Sequence, residues 1–109
     1  MAVKLEDQQK TAEDIKAAKV ILREIGTLNW ASLDIDRGFI FVEDSGVSLR
    51  NVIVSPRKRG TIDITVDPAT GLHEVRVTRF SVKKGTEKLH AWYDVPTSDL
   101  RRLLAGLWM

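Results

Sequence analysis

Cysteine is absent from this 109-residue sequence, which removes disulfides, thiolate zinc sites, iron–sulfur clusters and cysteine nucleophiles together. Only two histidines and three prolines occur, so imidazole chemistry has few places to reside and few positions forbid a strand. Long apolar runs are missing as well. No stretch approaches the ~20 residues of a membrane helix, and residues 1–7 carry acidic side chains where a signal peptide needs its apolar core. These absences predict a soluble, cytoplasmic domain with no membrane role.

What is present has the balance of one globular domain spanning 1–109, with 43% hydrophobic and 29% charged residues. A chain of this length buries roughly 65% of its extended surface and needs no covalent or metal staple. Its net charge of +2 hides an asymmetry. Residues 1–46 hold 6 Lys/Arg against 9 Asp/Glu, a net −3, whereas residues 47–109 hold 11 against 6, a net +5. A basic half-chain points toward anionic partners, nucleic acid among them.

Periodicity predicts an α+β fold made of an N-terminal helix, an antiparallel β-meander of five to six strands and a C-terminal amphipathic helix. Over 11–25 the apolar groups Ala12, Ile15, Ala18, Ile21, Leu22 and Ile25 recur at helical spacing. Gly26 follows as a C-terminal stop. Residues 1–10 either extend this helix or fray. From position 29 the period becomes two, punctuated by Gly38, Gly46, Gly60, Gly71 and Gly85 in turn-like contexts. Strands are expected near 30–35, 39–43, 47–55, 61–67, 72–83 and 87–95. Pro96-Thr97-Ser98-Asp99 then opens a helix with Leu100, Leu103, Leu104 and Leu107 on one face.

Hairpin pairing fixes which residues face the core. Placing Asp67 opposite Leu72 sets Ile64 against Val75, Ile62 against Val77 and Asp63 against Arg76. Placing Ser55 opposite Thr61 sets Val54 against Ile62 and Val52 against Ile64, and a three-residue turn at 44–46 sets Phe41 against Leu49. The expected core is Ile15, Leu22, Ile25, Phe41, Ile62, Ile64, Val75, Val77, Leu100, Leu103 and Leu104. Apolar parity changes near Arg50 and Asn51, which calls for a bulge. It changes again between Val77 and Phe80, where either a bulge near Thr78 and Arg79 or two-sided cover of the last hairpin is required.

Signals for catalysis are sparse. His73 and His90 fall on separate strands with no evident nucleophile or second ligand at metal spacing, and they read as strand-surface residues. Asp34 and Asp36, near Glu43 and Asp44, read as a solvated edge beside a turn rather than a cation site. None of the turn glycines opens a helix as a phosphate loop does. The sequence therefore predicts a non-enzymatic protein without metal or cofactor.

The strongest local signal is Pro56-Arg57-Lys58-Arg59-Gly60, three consecutive cations at a hairpin tip. Arg50, Lys83, Lys84 and Lys88 join Arg57, Lys58 and Arg59 as candidate nucleic-acid contacts, with Phe80, Trp92 or Tyr93 available for stacking. The meander brings the tips at 56–60 and 83–85 to one end of the sheet. The order of strands followed by a helix is similar, in topology alone, to single-strand binders of the Whirly and Pur kinds. The extra N-terminal helix departs from that unit, and no residue motif carries a site across. A second expectation is a protein partner or self-association through the last hairpin and final helix, at Trp92, Tyr93, Leu107 and Trp108.

Overall fold

Helix α1 (Ala12–Ile25) begins with Glu13 and Asp14 and ends with Arg23, the polarity its dipole favours, and buries Ala18, Ile21 and Ile25. The structure, a computed structural model, describes residues 12–56 and 58–107. Gly26 ends α1 at φ +86° and ψ 155°, a conformation that side chains disfavour. It is followed by a second short helix, α2 (Thr27–Ser32), and a 3₁₀ turn at Ile35–Arg37.

The strand expected near 30–35 is therefore helical. Leu33 and Ile35 are both buried and satisfy a two-residue period, but Ile25, Asn29 and Leu33 satisfy a four-residue period equally well, and all three are buried. Hydrogen bonding decides between them. Leu33 N donates to Asn29 O at 2.9 Å, and the Asn29 amide Nδ2 donates to Ile25 O at 2.9 Å and Arg101 O at 2.8 Å. That side chain ties α1 and α2 to the C-terminal helix.

Five strands form one antiparallel sheet in sequence order: β1 (Phe39–Glu43), β2 (Gly46–Ser55), β3 (Lys58–Val66), β4 (His73–Ser81) and β5 (Gly85–Val95). The chain closes with a 3₁₀ turn at Thr97–Asp99 and helix α3 (Leu100–Ala105). The fold is α+β, and among the described residues no helix is long and apolar enough to cross a membrane.

The β3–β4 register matches expectation, with Ile62↔Val77, Asp63↔Arg76 and Ile64↔Val75. Two neighbouring registers differ. β1 and β2 are joined by a two-residue turn, Asp44-Ser45, so Ile40 faces Leu49 and Val42 faces Val47. Phe41 consequently turns to the opposite face and is only half-buried. The cause lies in α1, whose Asp14 Oδ1 accepts the Ser45 N–H at 3.0 Å and holds the tight turn. In the β2–β3 hairpin Ser55 pairs with Lys58, and Leu49 and Val47, rather than Val54 and Val52, face Ile62 and Ile64. The register shift between Arg50 and Val52 leaves Asn51 at φ +58°, the expected bulge.

The last hairpin is re-phased on its second strand. Val77 faces His90 while Thr78 faces Lys88, so Leu89 is the extra residue. Phe80 faces Thr86, not Leu89. A second shift between His73 and Val75 accompanies Asp94 at φ +55°.

The core forms on one side of the sheet. Val47, Leu49, Ile62, Ile64, Val75 and Val77 line it in facing rows, and Ile21, Ile25, Leu100, Leu104 and Leu107 cover them. Leu22 and Leu103 are partly buried at its margin. β2 outruns β1, and its exposed edge is closed by Ile53 N donating to Leu33 O at 2.8 Å. In urea denaturation, Ile64→Ala should lose about 2–5 kcal/mol of stability and Asn29→Ala about 1–3 kcal/mol, whereas Val82→Ala should stay within about 0.5 kcal/mol.

Candidate nucleic-acid interface

The β2–β3 and β4–β5 tips lie at the same end of the sheet. Strand register puts them there, with Ser55 pairing Lys58 at one tip, Ser81 pairing Gly85 at the other, and Thr61 pairing Thr78 between the hairpins; the Arg79 guanidinium bonded to Glu87 in β5 holds that carboxyl below its ordinary value. A shared rim thus contains Lys58 on one hairpin and Lys83 and Lys84 on the other. Arg57 lies outside the described residues.

Ion pairing divides the expected contact residues into two groups. Arg59 does not project from the tip. Its guanidinium is bound by the Asp34 carboxylate and by Asn51 O at 2.7 Å. Arg50 is held by Glu43 at 3.3 Å and Ser48 Oγ at 3.2 Å, and lies 4.2 Å above the Phe41 ring. Arg76 stands opposite Asp63 as expected, but its ion pair is with Glu74 at 2.6 Å. Arg79 bonds Glu87 at 3.0 Å. Lys58, Lys83, Lys84 and Lys88 form the other group: all are exposed, and none joins an ion pair among the described residues.

Apolar side chains stand among those lysines. Phe80 is 73% exposed and Val82 94% exposed. Strand pairing puts Phe80, Thr78, Thr86 and Lys88 on the face opposite Val75 and Val77, so Phe80 and Lys88 share a surface. Val82 was not among the expected contacts. Its signal in the sequence is position alone, because it directly precedes Lys83-Lys84-Gly85 at the tip.

The other expected interface residues do not converge. Trp92 is partly buried on the helix-covered side, with its ring stacked on His90 at 5.0 Å. Tyr93 is 57% exposed, and Leu107, only 7% exposed, belongs to the core. Trp108 lies outside the described residues. Asp34 and Asp36 are committed to protein groups, Asp34 to Arg59 and Asp36 to the Trp30 indole N–H at 3.1 Å. Among the described residues no group of three or more His, Asp or Glu is placed to hold a metal ion.

No family model, curated protein or solved structure matches this chain. The geometry of its own residues is what bears on function.

His73 departs from the surface position expected of it. It is buried, its Nδ1 lies 3.3 Å from Val95 O, and burial lowers its pKa while the Val95 contact opposes that shift. The folded chain therefore keeps the ring neutral at a pH where the unfolded chain, with a value near 6.5, begins to bind a proton. Stability from this group is complete above about pH 6.5 and is lost as pH falls through the lowered folded value. Urea midpoints measured between pH 5 and 7.5 should rise with pH, and His73→Gln should remove that part of the slope.

Proposed function

We propose that this protein is a non-enzymatic binder of single-stranded nucleic acid, acting through the rim formed by the β2–β3 and β4–β5 tips. The observation that carries the reading is the exposed Phe80 on one surface with Lys88, beside Lys58, Lys83 and Lys84, which join no ion pair among the described residues. Lysines supply mobile point charges to phosphates, and an exposed ring supplies a face on which a base can stack. A duplex presents its phosphates equally well but hides its bases, so the aromatic contact favours the single strand. The lack of cysteine suits the reducing cytoplasm, where we place this activity.

The arginines contribute indirectly. Arg59, Arg50 and Arg79 are already bound to Asp34, Glu43 and Glu87, and they fix the bulge, the open face and the base of the hairpin. Phosphate contact is left to the lysines, whose release of counterions makes affinity depend on salt.

Binding to a fluorescein-labelled oligothymidine, titrated at several salt concentrations, tests the reading. The double variant Lys83→Ser/Lys84→Ser should weaken binding and reduce the log–log salt slope by about 1 to 1.5. Phe80→Ala should cost about 1–3 kcal/mol with the slope nearly unchanged. Equal affinity of the parent and both variants would remove the rim from the binding surface.

A further inference from the structure

A groove of about 740 Å³ opens between the end of α1, α2 and α3, on residues that the basic rim does not include. Leu22, Leu28 and Trp30 supply its apolar wall, and Leu28 stands at its lip with 84% of its surface exposed. Arg23, Arg101 and Arg102 surround it, all exposed. No acidic residue is among the described residues that line it. Asp99, outside the lining, meets Arg102 at 3.1 Å and leaves Arg23 and Arg101 without an ion pair among the described residues.

The groove is built rather than incidental. Asn29 bridges Ile25 O and Arg101 O, fixing the separation of α2 and α3. Arg101 lies across the α1–α2 junction beside Gly26, whose φ of +86° sets the turn between the two helices. Trp30 is oriented by its indole bond to Asp36.

We propose that this groove docks an acidic amphipathic helix from a partner protein. Charge complementarity selects the sign: Arg23, Arg101 and the Asp99-paired Arg102 border an apolar wall with no acidic residue among the described residues that line it. Shape selects the class. The exposed Leu28 lip and exposed arginines leave the groove open along one side, which suits an elongated occupant better than a small ligand that a cleft encloses. The walls come from helices, and no strand is among the described residues that line the groove, so it offers no strand edge to an extended peptide. A helix with apolar residues at i, i+3, i+4 and i+7 lays one stripe along Leu22, Leu28 and Trp30 and presents flanking carboxylates to the arginines.

The test is a display library of helical peptides with Leu, Ile or Phe at i, i+3, i+4 and i+7 and either Glu or Lys at the flanking positions. The folded full-length protein should retain the Glu set. Leu28→Glu and Arg23→Glu, both at exposed positions, should each lower affinity at least about tenfold, or ~1.4 kcal/mol, with an unchanged circular dichroism spectrum. Arg23→Glu should in addition improve retention of the Lys set. Retention of neither set, equal retention of both, or binding indifferent to Leu28→Glu overturns the proposal. A dimer in sedimentation that Leu28→Glu dissociates assigns the groove to a second copy instead. Loss of oligothymidine binding in Leu28→Glu assigns it to nucleic acid. Both outcomes overturn the helix.

Discussion

One sheet face has to be kept dry, and most of the molecule is arranged around that requirement. Val47, Leu49, Ile62, Ile64, Val75 and Val77 meet across three strands with almost no exposed surface. In a five-stranded antiparallel sheet such a face stays buried only if a second layer covers it. The layer is assembled from both ends of the described chain, α1 from one and α3 with Leu107 from the other. Asn29 joins the two halves of that layer through backbone carbonyls of α1 and α3. The same join opens the groove beneath Arg101, so core closure and groove shape have one origin.

The opposite face and the rim follow a different logic, set by charge. Arginines on strands are matched by carboxylates within bonding distance, and two of these matches lie at local irregularities: Arg59 also bonds Asn51 O at the bulge, and Arg79 with Glu87 spans the last hairpin above its extra residue, Leu89. Both pairs are partly buried yet remain in contact with solvent, which screens their attraction, so their chief effect is positional. Lys58, Lys83, Lys84 and Lys88 join no ion pair among the described residues. The +5 of residues 47–109 is therefore divided among strand arginines held by carboxylates, lysines at the tips, and Arg101 at the groove, the last two groups joining no ion pair among the described residues.

The β3–β4 hairpin is legible in the sequence because its information is local. Asp67 to Leu72 is a compact loop, closed by Asp67 N to Leu72 O at 2.9 Å, and alternation on both sides agrees with it. The β1–β2 register is not legible, because Asp14, 31 positions away, selects the two-residue turn and sends Phe41 outward. α2 is obscured because Leu33 and Ile35 fit either period until Asn29 finds Arg101 O, 72 positions away. The site divides in the same way. That two basic tips share one end follows from meander topology, whereas the capture of Arg59 by Asp34 depends on α2 and the 3₁₀ turn being where the sequence promised a strand. The arginine-lined groove left no trace in sequence for the same reason, since α2 forms one of its walls.

Backbone amide NMR during titration with oligothymidine tests the central reading most directly, because it locates contact without altering a residue. Binding at the rim predicts saturable shifts concentrated at Lys58, Phe80, Val82, Lys83, Lys84 and Lys88, with the α1, α2 and α3 amides little changed. No shifts at physiological salt, or shifts centred on the groove helices while the hairpin tips stay still, would contradict it.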